Sequence, residues 1–155
     1  MRAVLSLFLA LSLAFPLAAQ EASAPDTIPG EEPAPTLQVI DAVATGITLD
    51  DLMWSSRPIV VFADSERDPR FGEQLDMLTS RPEPLLERDV VVVFDADPAA
   101  ESPIRQALRP RGFSMVIVQR DGHVALRKPR PWDVREIIRA IDNLPLRIEE
   151  TGRSQ

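Results

Sequence analysis

Residues 58–69 read PIVVFADSERDP, and this stretch decides the fold. The apolar residues from Ile59 to Ala63 follow one another without a polar break, which is typical of a β-strand covered on both faces. A polar loop comes next, and Asp68 and Pro69 fit the N-cap and the first position of a helix. The stretch therefore predicts a buried strand that leads through a short loop into a helix.

The rest of the chain repeats this pattern. Residues 90–94 read VVVVF, a second run typical of a buried strand, and Ser102 before a proline begins another predicted helix. Gly122 after an aspartate marks a hairpin between two further strands. Apolar residues at helical spacing over 134–141 predict a last helix. The predicted order is β-α-β-α-β-β-α, an α/β fold in which helices flank a four-stranded mixed sheet.

The first residues of the chain have the pattern of a secretory signal peptide. Arg2 precedes an apolar run over residues 3–13, and small residues end the segment before Gln20. An uncleaved anchor is the alternative, although the run is short for a bilayer span. We therefore expect an exported protein, periplasmic or secreted, with a signal peptide at 1–19 and no transmembrane segment in the mature chain.

Composition sets the other boundaries. Residues 20–36 are rich in Pro, Glu, Ala and Ser, which predicts a disordered linker. The folded domain is expected over residues 37–147, followed by a flexible tail at 148–155. A helix is predicted from about residue 49, where Thr48 and Asp51 resemble a capping box. Trp54 at its end is either an exposed binding aromatic or, more commonly, a cover for the edge of the core.

Charge is distributed unevenly along the chain. Residues 20–101 carry 18 acids and 5 bases, whereas residues 102–139 carry 3 acids and 9 bases. An acidic exported protein is not expected to bind duplex nucleic acid. The basic part contains Arg127, Lys128 and Arg130, with Arg109, Arg111 and Arg120 nearby. It predicts a contact with an envelope protein or another anionic partner, or else a solvated surface that neutralises the acidic half.

Residues 111–122, RGFSMVIVQRDG, resemble the stretch of thioredoxins that leads into and through their third strand. That family has a cis-proline where this chain has Ser114, and its redox cysteines would fall near residues 66–69. This chain has no cysteine, so thiol-disulfide exchange and thiol peroxidase activity are excluded. The resemblance implies that any binding surface retained there is formed by the following residues: Asp64, Ser65, Arg67, Asp68, Arg111 and Ser114.

A closer resemblance is to a secreted domain family of unknown function. The matching features are Arg57 before a proline, residues 86–92 (LERDVVV), the hairpin at 120–122, and residues 141–147 (IDNLPLR) followed by Glu149. The family occurs in exported bacterial proteins and as a module in animal matrix proteins of the sushi-repeat and adhesion type. This resemblance implies adhesion or protein binding, without catalytic residues or a cofactor.

Two groups of acids are candidates for chemistry. Asp95 and Asp97 after the second strand imitate the D-x-D motif of phosphatases, in which a Mg²⁺ ion assists phosphoryl transfer. Asp64, Glu66 and Asp68 are a possible cation site on the first loop, although acids there more often cap and solubilise. The first hypothesis is therefore a redox-inactive binding or adaptor module. A metal-assisted hydrolase using strand-end aspartates is the alternative, and a structural surface module without a specific ligand is a third possibility.

Overall fold

A computed structural model of the protein describes residues 35–153. The predicted signal peptide, and all but the last two residues of the predicted linker, lie outside the described residues. Every helix within residues 35–153 is too short or too polar to span a lipid bilayer. The elements occur in this order: β1 (Val39–Asp41), α1 (Ala42–Thr45), α2 (Leu49–Leu52), β2 (Arg57–Phe62), α3 (Pro69–Thr79), α4 (Glu83–Leu86), β3 (Val90–Asp95), a 3₁₀ turn (Pro98–Ala100), α5 (Pro103–Leu108), β4 (Ser114–Val118), β5 (Val124–Lys128), α6 (Val134–Asp142) and α7 (Pro145–Arg153).

The strands of residues 35–153 form one mixed sheet of five, in the spatial order β1, β3, β2, β4, β5. The strands β1, β3 and β2 run parallel, whereas β4 is antiparallel to both β2 and β5. The predicted α/β class with helices around a mixed sheet is confirmed. The predicted count of four strands was too low, because β1 is a three-residue edge strand with an exposed Val39 and has no apolar run to reveal it.

Successive side chains of each strand enter two separate apolar cores. On β2, Ile59 and Val61 face α3, α4 and α6, whereas Val60 and Phe62 face α1, α2 and α5. Both sets are completely buried. Because the sheet is covered on both faces, its central strands have continuous apolar sequences instead of alternating ones.

Side chains at the predicted caps start two of the helices. The Asp51 side chain accepts a hydrogen bond from the Thr48 backbone N–H at 2.9 Å, and Thr48 Oγ1 accepts one from the Asp51 N–H at 3.3 Å. This is the predicted capping box, and its hydrogen bonds from Thr48 lower the pKa of Asp51. Asp68 accepts from the Arg70 N–H at 3.0 Å with Pro69 at the first position, so this predicted cap is also confirmed.

A buried ion pair ties the last helix to the central strand β2. Arg57 is completely buried, and its Nη2 lies 3.2 Å from Glu150 Oε2. Its Nη1 donates to the Arg88 carbonyl at 2.6 Å. The sequence predicts a flexible tail from residue 148, whereas the structure continues α7 to Arg153. This helix completes the surroundings of Arg57, so it is part of the fold.

Candidate functional site

Two clefts open at one end of the sheet, where β1, β2 and β3 have their carboxyl ends. The first, which we call the acidic cleft, has a volume of about 520 Å³. Four carboxylates and one guanidinium belong to its lining, so its charge is negative. Its polar lining residues are Asp41, Asp64, Ser65, Glu66, Arg67 and Asp97. In open α/β sheets, ligands bind in crevices at this end of the strands.

The loop after β2 supplies only part of its predicted surface to this cleft. Three of the candidate residues on this loop, Asp64, Ser65 and Arg67, line the cleft. Asp68 does not, because its carboxylate caps α3 and pairs with Arg70 Nη2 at 2.7 Å. The hydrogen bond from the Arg70 side chain is the largest cause of the lowered pKa of Asp68.

The second cleft, which we call the basic cleft, lies beside the start of β4 and the end of β5. It has a volume of about 480 Å³ and contains three guanidinium groups and no carboxylate in its lining. Its lining includes Leu108, Arg109, Arg111, Phe113, Ser114 and Arg127. The predicted residues Arg111, Ser114 and Arg127 therefore converge, although they come from two different parts of the sequence.

Sheet pairing and one helix end hold these arginines in place. Arg127 pairs with Val116 of β4, so it lies on the face covered by α5. Its Nη2 donates to the Leu108 carbonyl at the end of α5, at 2.8 Å. Arg109 caps that helix with a backbone φ of 47°, a left-handed conformation that costs about 1–2 kcal/mol for a residue other than glycine.

Ser114 lies at the floor of the basic cleft. It is the first residue of β4 and pairs with Phe62 at the carboxyl end of β2. Only 4 % of its surface is exposed, and its hydroxyl has no hydrogen-bond partner among residues 35–153. Buried hydroxyls nearly always have a partner, either protein or water or ligand, so this group needs an explanation.

The two clefts are neighbours, and Gly112 marks their boundary. A Cβ atom at Gly112, which has a φ of 62°, would lie 3.8 Å from the Asp64 carboxylate. The loop after β2 therefore lies beside the segment that leads into β4, as the resemblance to thioredoxins implies.

Two residues of the predicted basic segment lie elsewhere. Lys128 alternates with Arg127 along β5 and therefore projects to the opposite face, where its Nζ lies 4.2 Å from the centre of the Trp132 ring. Arg130 is exposed beyond the end of the strand and does not line the basic cleft. The basic segment is therefore divided between the two faces of the sheet.

Asp95 and Arg105 form a buried ion pair that the sequence did not reveal. Asp95 is completely buried, and Arg105 donates to it through Nη2 at 2.7 Å and Nε at 3.0 Å. The Ser102 hydroxyl and the Asp97 N–H also donate to this carboxylate. Arg105 Nη2 bonds the Ala63 carbonyl at 2.8 Å as well, so one guanidinium joins the ends of β2 and β3 to α5.

These contacts give Asp95 a structural role instead of the nucleophilic one considered from the D-x-D pattern. Burial favours a higher pKa for Asp95, but the hydrogen bonds from Arg105, Ser102 and Asp97 outweigh it and lower the pKa. Asp97 points its Oδ1 at the Ala99 N–H and caps the 3₁₀ turn. Within residues 35–153, no three histidine or acidic side chains converge as ligands for a metal ion.

Trp54 lies at the opposite end of β2, and 62 % of its surface is exposed. The expectation that it covers the core edge was therefore wrong. Its backbone has a φ of 63°, and its carbonyl accepts a hydrogen bond from Arg120 Nε at 3.1 Å. Arg120 is thereby held at this end of the sheet and is not part of the basic cleft.

Comparison with known proteins places the sequence in a family. Residues 48–150 match the family model described as "Domain of unknown function (DUF4174)". The chain belongs to this family. No curated protein matches the sequence. The matched residues of this DUF4174 domain extend from the capping box at Thr48 to Glu150. They include the basic cleft and both buried ion pairs, and the lining of the acidic cleft except for the part around Asp41.

Solved structures show what the fold is similar to. The reduced 2-Cys peroxiredoxin of Plasmodium vivax matches with a TM-score of 0.50 and 13% identity, over 68% of this chain and 84% of that one. Chloroplastic thioredoxin z matches with a TM-score of 0.50 and 18% identity, over 72% of this chain and 98% of that one. The DUF4174 domain therefore has a thioredoxin-like fold, and it contains no cysteine.

Proposed function

We propose that this DUF4174 domain is a redox-inactive protein-binding module of the cell envelope. Its binding surface is the end of the sheet where the acidic and basic clefts meet. The observation that carries the proposal is this pair of adjacent, oppositely charged clefts in a chain that lacks every cysteine needed for thioredoxin chemistry. A surface of mixed sign suits recognition of a charged polypeptide, because complementary charges select partners and fix their register.

The proposed location depends on the signal-peptide pattern of residues 1–19. The resemblance to exported bacterial proteins and to animal matrix modules supports it, and also supports adhesion or protein binding as the role. Deletion of residues 2–19 should retain the protein in the cytoplasm, as measured by cell fractionation. Unchanged fractionation would contradict an exported location.

The proposed function is tested by affinity capture. The chain from Gln20 to Gln155 is immobilised and exposed to an envelope extract, and retained proteins are identified by mass spectrometry. A second bait carries Arg111→Glu and Arg127→Glu, which reverse the charge of the basic cleft. A matched control carries Arg130→Glu and Arg139→Glu, which make the same change in charge outside it.

We expect a protein that is retained by the native bait and the control bait and lost from the cleft variant. Retention should weaken as salt rises, because exposed charges are screened over about 10 Å at 0.1 M ionic strength. Equal retention by all three baits would move the contact away from the basic cleft. The absence of any specific partner at low and at physiological salt would contradict the binding-module proposal itself.

A further inference from the structure

The basic cleft has the composition of an oxyanion site. Among residues 35–153, the guanidinium groups of Arg109 and Arg111 have no hydrogen-bond or ion-pair partner. Within the described part of the chain, these two guanidinium groups are therefore not engaged by a carboxylate. Guanidinium groups pair with carboxylates and phosphates through two parallel hydrogen bonds, which gives direction as well as attraction.

Part of this site is organised before any ligand binds. The hydrogen bond from Arg127 to the Leu108 carbonyl fixes its guanidinium over the end of α5. Arg109 has an uncommon backbone conformation at that helix end. A site in which charged side chains are already ordered loses less conformational entropy on binding.

Ser114 adds an unpartnered polar group to the basic cleft. Its hydroxyl is buried at the floor of the cleft and has no partner among the described residues. A hydroxyl can rotate to donate to an anionic oxygen, and such a charge-assisted bond is stronger than one between neutral groups. Three arginines around an unpartnered donor therefore indicate a ligand with anionic oxygen atoms.

We infer that the basic cleft binds a carboxylate on the partner protein, with Ser114 donating from the floor and Arg109, Arg111 and Arg127 around it. This inference rests on the proposed function for the source of the carboxylate. The cleft has a volume of about 480 Å³, which is enough for side chains of an extended peptide. A single small anion would need much less space.

The test is a calorimetric titration of the chain from Gln20 to Gln155 with defined probes. The acidic probe is a tetraglutamate peptide that is acetylated and amidated, and the matched neutral probe is the corresponding tetraglutamine peptide. Inorganic phosphate is the third probe. The variants are Ser114→Ala, Arg111→Gln and, as a control outside the cleft, Arg130→Gln.

We expect binding of the acidic peptide only, weakened about tenfold by Arg111→Gln and about tenfold by Ser114→Ala, since each removes a hydrogen bond to a charged group. Arg130→Gln should leave the affinity unchanged. Ser114→Ala should not lower the urea midpoint of unfolding, because its hydroxyl bonds no other group of the described protein. This stability measurement separates a binding role from a structural one.

Other outcomes overturn the inference in distinct ways. Binding of phosphate alone with the same dependence on Arg111 would overturn the carboxylate assignment. Full affinity in Ser114→Ala would overturn the role of the hydroxyl. No binding of any probe at low salt would overturn the site, even if affinity capture retains a partner. The proposed function would be contradicted by a different result: affinity capture retains no partner, although the acidic peptide binds in calorimetry.

Discussion

Replacing Asp95 by asparagine should destabilise the protein by about 3 kcal/mol, the lower end of the range for breaking a buried ion pair. The substitution keeps the volume of a completely buried side chain but removes its charge, and it leaves Arg105 facing a neutral group. We take the lower end because Arg105 keeps the Ala63 and Asp95 carbonyls as acceptors and because 11% of its side chain is exposed.

The assay is urea unfolding at pH 7, followed by circular dichroism, on the chain from Gln20 to Gln155. Arg105→Met removes the other partner of the pair. It leaves the buried Asp95 carboxylate without its counter-ion and should lower the free energy of unfolding by about 4 kcal/mol. The double variant should lose less than the sum of the two single losses, because contacting residues are not additive. Asp97→Asn is the control, since that exposed neighbour only caps a 3₁₀ turn.

The dependence of stability on pH is a second test of this ion pair. Burial favours a raised pKa for Asp95, but its bonds from Arg105, Ser102 and Asp97 lower the pKa below its usual 3.8. The stabilisation from the charged carboxylate is therefore complete above about pH 4 to 5 and is lost as the pH falls through the lowered folded value. The Asp95→Asn variant should show a smaller loss of stability over this acid range.

A loss below about 1 kcal/mol in Asp95→Asn, the size of an ordinary single hydrogen bond, would contradict a stabilising ion pair between Asp95 and Arg105. Additive losses in the double variant would also refute it, because they would mean that Asp95 and Arg105 act independently. If Asp95→Asn lost as much stability on acidification as the native protein, the Asp95 carboxylate would have no lowered pKa in the folded protein.

Three other changes test the remaining features. Glu150→Ala should lower the free energy of unfolding in urea by about 2 kcal/mol, because it leaves the buried Arg57 without its carboxylate partner; the cost is moderate because Glu150 is partly exposed. The control Glu73→Ala, at an exposed position, should cost less than about 0.5 kcal/mol. Equal losses in the two variants would contradict a stabilising role for the Arg57–Glu150 pair. Arg109→Gly should raise the free energy of unfolding by about 1 kcal/mol, because glycine adopts the left-handed backbone conformation without strain. The same change should weaken the binding of the acidic peptide measured by calorimetry. Lower stability would show that the arginine side chain supports the fold. Gly122→Ala should cost about 1–2 kcal/mol, because its φ is 84° and a Cβ there would approach a methionine side chain to 3.1 Å; an unchanged unfolding midpoint would show that the hairpin relaxes freely.

The order of the central elements could be predicted because doubly buried strands leave continuous apolar runs. Residues 58–63 and 90–94 each show such a run, and the caps at Thr48 and Asp68 lie where local hydrogen bonding requires them. The short strand β1 could not be found in this way, because its three residues gain stability only from pairing with β3. Local sequence contains no signal for a pairing across more than 50 positions.

The candidate site was predictable in part. Alternation along a strand separates Arg127 from Lys128, and this signal was present in the sequence once β5 was assigned. The same alternation places Asp95 on the face of Val91 and Val93, which indicates burial instead of a solvated turn. Its partner Arg105 could not be assigned without the fold, because the position of α5 over the sheet brings them together. The meeting of Arg111 and Arg127 likewise depends on the antiparallel pairing of β4 and β5.

The ion pair between Arg57 and Glu150 also relates folding to the direction of protein synthesis. The two residues are 93 positions apart, so at about 5–20 residues per second the arginine waits roughly 5–20 s for its partner to be made. Until then, closing the sheet would bury an unpaired guanidinium, which is costly. A nascent chain that stops before residue 150 lacks the partner of Arg57, and we expect it to be cleaved by proteases faster than a chain that includes Glu150.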